Sequence, residues 1–149
     1  MKKQDWLIVY LSLPSATKTN WIDPIRIMKG LFLFKMELKN KLKNFYNYIP
    51  YLYGPCSFEI YEDLIELQLK GIVDSYFHPL QRWSYYRLTE KGQTYVKSLI
   101  KEAPTEFLEK LKTIKIKVTS LSFLELLKDI YKKYPEYAQN SVINFGRHL

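Results

Sequence analysis

With 149 residues, 47% hydrophobic and 16% aromatic, the chain is long enough to bury a core and too apolar for intrinsic disorder. Its net charge of +8 points to an anionic partner, with nucleic acid the first candidate. A single cysteine, Cys56, excludes an internal disulfide and a thiolate zinc cluster, and fits a reducing, cytoplasmic compartment.

The run Trp6–Leu13 follows two lysines, but Gln4 and Asp5 interrupt its start. It is far shorter than the ~20 residues a membrane span needs, so it reads as a first core helix, not a secretion signal. Trp6, Val9, Tyr10 and Leu13 lie on its inner side, and Pro14 ends it. Residues 14–22 read as a loop. Asp23 and Pro24 then form a strong helix start, N-cap followed by a proline in the first turn. The helix to Leu38 is apolar nearly all round, through Ile25, Ile27, Met28, Leu31, Phe32, Phe34 and Met36, which predicts burial on most sides. Arg26, Lys29 and Glu37 form its narrow polar stripe, and Gly30 marks a close approach of another element.

Lys39–Asn44 is a basic loop. Phe45–Tyr53 is aromatic and β-favouring, with Pro50 confining it to an edge strand or an irregular extended segment. Its rings suit packing, with stacking of single-stranded bases as the alternative. Gly54-Pro55 reads as a turn. Ser57 caps a helix to Lys70, with Ile60, Tyr61, Leu64, Ile65 and Leu67 as the face expected to be buried, Phe58 as a further candidate, and Gly71 as C-cap. Ile72–Phe77 and Trp83–Leu88 read as two strands joined by residues 78–82. Thr89 caps the next helix, with Tyr95, Val96, Leu99 and Ile100 inward. Residues 105–118 read as helix in spite of the strand-like spacing of the lysines in KLKTIKIKV. Ser120 or Ser122 caps a last helix whose inner side is Phe123, Leu124, Leu127, Ile130 and Tyr131, and which ends before Pro135.

The runs DPIRIMKGLFLF, YLYGPCSFEIYEDLIELQLKGIV and YYRLTEKG resemble small winged-helix proteins that include the Panacea (SocA-like) antitoxin domain and related phage-associated proteins. The matching positions are Lys29, Tyr53, Gly54, Pro55, Ser57, Gly71, Ile72 and Val73, and LTEKG recurs after the wing in many winged-helix regulators. The resemblance covers roughly residues 23–92. It implies an α+β fold: a mostly helical winged helix-turn-helix, a small antiparallel β-hairpin wing and extra C-terminal helices. It also implies an antitoxin or adaptor role for some members. The expected organisation is a winged-helix domain over residues 1–103 and a helical extension over residues 104–149. That extension either packs on the same core or forms a homodimer seam, for which residues 122–134 carry enough apolar surface.

No catalytic constellation is visible. His78 and His148 are the only histidines and neither stands beside a nucleophile, and there is no glycine-rich phosphate loop, HExxH or paired-cysteine motif. Cys56 at a helix start reads as a packed turn residue. The expectation is a non-enzymatic protein with no cofactor and no metal.

The leading expectation is a DNA-binding transcriptional regulator. In a winged helix, residues 57–70 form the helix that enters the major groove. Between Ser57 and Asp74, however, five acids (Glu59, Glu62, Asp63, Glu66 and Asp74) face only Lys70, a local charge of −4 that leaves +12 for the rest. Carboxylates pressed against a phosphate backbone are penalised. Double-stranded DNA would therefore meet the wing, through Gln81 and Arg82 at its tip and Arg87 and Lys91 at its base. It would also meet lysine surfaces formed by Lys39, Lys41 and Lys43 and by Lys110, Lys112, Lys115 and Lys117, of which Lys112 and Lys115 are the preferred contacts. The alternative is an antitoxin-like interaction module that offers Glu59, Glu62, Asp63 and Glu66 to a basic protein such as a toxin.

Overall fold

The computed structural model describes residues 1–145 and has six helices: α1 (Lys3–Ser12), α2 (Pro24–Leu38), α3 (Phe58–Leu69), α4 (Glu90–Glu102), α5 (Thr105–Ser120) and α6 (Phe123–Lys133). Four strands accompany them: β1 (Ile49–Tyr51), β2 (Gly54–Cys56), β3 (Val73–His78) and β4 (Trp83–Leu88). His148 lies outside the described residues. The α+β class follows expectation, and so does the β3–β4 hairpin, paired from Val73↔Leu88 to His78↔Trp83. The loop before α2 adds to it: Ile22 and Tyr86 exchange two backbone hydrogen bonds of 2.9 Å, an isolated bridge on the β4 edge.

The second hairpin is a departure. Gly54 and Pro55 stand in β2, and the chain reverses one step earlier at Leu52-Tyr53. Pro50 lies opposite Pro55. Alternate pairs of an antiparallel ladder exchange no hydrogen bonds, so the two residues without an N–H fall where none is required.

Helix α2 runs through the centre. Asp23 accepts the Arg26 amide at its start, and α1, α5, β2 and β4 pack around it. Gly30 is the close approach expected: the Tyr10 ring lies where a side chain would begin, and its hydroxyl donates to Arg26 O at 2.7 Å. One buried cluster extends from Trp6 on α1 to Ile130 on α6, so the segment after residue 104 shares the core of the preceding part. In α6, Leu126, Leu127 and Ile130 are fully buried within the chain, whereas Leu124, expected on its inner side, is 53% exposed. Among the described residues no helix is long and apolar enough to cross a membrane.

Two lysines stand where the sequence suggested solvent. Lys29, placed on the polar stripe of α2, is 2% exposed and donates to Pro55 O at 2.9 Å. Lys115, placed on a phosphate-facing surface, is 1% exposed. Its ammonium donates to the carbonyls of Tyr10, Leu11 and Leu13 at 2.8, 3.1 and 2.7 Å, capping the C-terminal end of α1. Burial pushes Lys115 down to about 7 and Lys29 down to about 8, the latter opposed by Cys56 and Asp23.

In the unfolded chain both lysines hold their protons to about 10.5. Between the folded and unfolded values the unfolded chain binds more protons, so stability climbs as pH rises through this window. Urea midpoints should therefore increase from about pH 7 to about pH 9, with Lys115→Met losing that residue's share of the increase. A midpoint that falls over this range contradicts the assignment.

Candidate interaction site

Helix α3 has apolar residues at seven of its twelve positions, more than one stripe against a core accommodates. Ile60, Leu64 and Leu67 go inward. Phe58, Tyr61, Ile65 and Leu69 go outward at i, i+3, i+7 and i+11, with Ile65 59% and Leu69 85% exposed. Phe58, Tyr61 and Ile65 were expected on the buried side; that expectation is corrected. The stripe continues onto the β1–β2 hairpin, where Tyr51 meets Phe58 edge-on at 5.3 Å and Ile49, Leu52 and Tyr53 are exposed. The crowding of apolar residues on α3 was the signal available in the sequence.

The four acids of α3 separate into different roles. Glu59 pairs with Lys3 at the start of α1 and accepts the Asn47 amide at 2.9 Å, and these contacts hold its carboxyl below the usual range. Asp63 accepts the Tyr46 hydroxyl at 2.6 Å. Glu66 pairs with Lys70 one turn on, and Glu62 is exposed and makes no hydrogen bond or ion pair among the described residues. The outward charge is thus Glu62 and the exposed Glu66–Lys70 pair beside the apolar stripe, a smaller ridge than four free carboxylates. Ser57 occupies the N-cap position, but its buried hydroxyl makes no hydrogen bond among the described residues.

The C-terminal end of α3 is locked by the LTEKG segment. Gly71 takes a φ of 74°, its N–H bonds Gln68 O and the Ile72 N–H bonds Leu67 O, a Schellman closure that glycine permits. Thr89 caps α4 at the Gly92 amide and also donates to Gly71 O, while the Lys91 ammonium reaches Lys70 O at 2.7 Å. Lys91, expected at phosphate, is therefore engaged on the last carbonyls of α3.

The other expected cations are dispersed. Gln81 and Arg82 stand exposed at the β3–β4 tip, Arg82 with a φ of 60°. Arg87 lies over the Trp21 ring at 4.1 Å and 3.9 Å from Asp74. Lys41 and Lys43 line a groove with Lys2, Lys3, Trp6 and Glu102, and Lys39 lines a different hollow beside Lys35 and Tyr134. Lys41 pairs with Glu106, Lys112 with Glu109 and Lys117 with Asp129. Of the aromatic stretch, Phe45 and Tyr46 are buried and Tyr48 donates to Met28 O, so the first half packs inside. Burial raises the Cys56 thiol, against the pull of Lys29, which is the opposite of nucleophile activation.

No family model matches the chain, and neither does any curated protein.

An outward stripe carries little of the folding energy. Ile65→Glu should leave stability within about 0.5 kcal/mol of the parent in urea melts, whereas Leu64→Ala on the inner side should cost about 2–5 kcal/mol. Equal losses at the two positions would place Ile65 in the core instead.

Proposed function

We propose that this protein is a winged-helix interaction module that binds a partner protein through the outward stripe of α3 and the adjoining β1–β2 hairpin. The order of α1, the Ile22 bridge, α2, α3 and the β3–β4 hairpin matches that of a winged helix, with Ile22 as the short third strand. In that arrangement α3 takes the position of the recognition helix.

The observation that carries the reading is the chemistry of the outward side of α3. Phe58, Tyr61, Ile65 and Leu69 form a continuous apolar stripe with Glu62 and Glu66 at its margin. A phosphate backbone is bound by replacing counterions with lysine and arginine, and this face offers neither in excess. A protein surface with apolar anchors and a basic rim complements it, since buried aliphatic and aromatic anchors carry most interface energy and rim charges set specificity. The resemblance to antitoxin-like winged helices supports the same assignment. Duplex DNA is the less favoured reading: of the cations proposed for it, Lys115 is buried, Lys91 caps α3, and the rest are distributed over separate parts of the molecule.

A photo-reactive residue introduced at position 65, and separately at position 112 on α5 as control, tests this in cells. The expected result is one defined protein cross-linked from position 65 and not from position 112. Ile65→Asp should weaken its binding about thirtyfold, and Glu62→Lys with Glu66→Lys about tenfold or more. Cross-linking of nucleic acid at position 65, or of the same protein equally from both positions, would overturn the proposal.

A further inference from the structure

We propose that the outer side of the β3–β4 hairpin is a stacking site for the unpaired bases of a single-stranded nucleic acid. This site is separate from the α3 stripe, and the proposal does not rest on the function assigned there.

The hairpin register builds it. Side chains alternate across a strand, so the cross-strand pairs Asp74–Arg87, Tyr76–Tyr85 and His78–Trp83 share one side, opposite the one on which Val73, Tyr86 and Leu88 enter the core. The Ile22 bridge on β4 holds the preceding residue, Trp21, against that same side. Trp21 and Tyr76 have ring centroids 6.0 Å apart, Tyr76 and His78 6.1 Å, and His78 and Tyr85 6.4 Å. With Thr19 and Gln81 these rings enclose an open hollow of about 420 Å³. Tyr76 is 49% exposed and Trp83 45%, so about half of each ring is left to solvent.

The polar groups around the hollow select the ligand. Among the described residues no carboxylate lines it, which disfavours a cage for a quaternary ammonium or methylated lysine. Tyr85 donates to the Gln81 amide oxygen, so it is the amide NH₂ that can donate to a base edge. Arg82 stands exposed at the hairpin tip and Arg87 lies at its base, within β4. Arg87 also stacks on Trp21, and the Asp74 carboxylate near it stands outside the hollow. Aromatic rings with cations at either end, on a chain of net charge +8, fit a strand whose bases stack and whose phosphates meet the arginines. A duplex hides its base faces and cannot use the rings.

Fluorescence anisotropy with a labelled ten-residue oligothymidine, at low and at physiological salt, tests this on the full chain. Binding is expected, with the matching duplex at least about tenfold weaker. Tyr76→Ala and Tyr85→Ala should each weaken the single strand about fivefold or more, the low end of the worth of one stacked base. Arg82→Ala should reduce the salt dependence, and Ile65→Asp should leave binding unchanged. Circular dichroism checks that the variants fold. The proposal is overturned by absence of binding at low salt, by tyrosine variants that bind like the parent, or by a duplex that binds equally well. It is also overturned if a proline-rich peptide binds with the same tyrosine dependence and displaces the oligonucleotide.

Discussion

The candidate site depends on one hydrogen bond, from the buried Lys29 ammonium to the Pro55 carbonyl. Pro55 belongs to β2, immediately before α3, and Lys29 lies in the middle of the central helix. A buried carbonyl without a donor costs about 1–3 kcal/mol, and a buried ammonium without an acceptor costs more. Each group therefore requires the other, and their pairing fixes where the β1–β2 hairpin meets the core. From that fixed point Tyr51 reaches Phe58, and the apolar stripe of α3 becomes continuous with the hairpin. Lys29 and the Gly54-Pro55 pair carried the family resemblance in the sequence; in the fold the lysine donates to the carbonyl of that proline.

The same chemistry recurs through the molecule and changes the meaning of its net charge. Arg26 reaches Val118 O and Leu121 O at the end of α5, Lys91 reaches the end of α3, Lys115 the end of α1, and Lys35 donates to Tyr46 O. The C-terminus of a helix leaves carbonyls unpaired and carries partial negative charge, and a cation answers both needs. Among the described residues, five basic side chains thus serve the main chain. An excess of lysine implies an anionic partner only for the cations that remain at the surface, and here those are distributed over several elements.

Much of the fold was legible. The Asp23-Pro24 start, the Gly71 closure, the Thr89 and Ser122 caps and the helical reading of residues 105–118 all rest on local chemistry, and local chemistry determined them. What escaped depends on distant partners. The β1–β2 pairing turns on which residues face Pro50, and the burial of Lys29 and Lys115 on carbonyls supplied from other elements, more than a hundred residues away in the chain for Lys115. Periodicity placed the α3 stripe on the wrong side because it finds apolar residues without telling core from surface. Trp21 was passed over as loop, since its contact with Tyr76 exists only once Ile22 joins β4.

The claim that Lys29 organises this surface is tested most directly by amide hydrogen exchange on Lys29→Met. The account predicts that amides from Ile49 through Ile60 exchange about tenfold faster or more than in the parent, while β3, β4 and α4 keep their protection. Unchanged protection across residues 49–60 would contradict it.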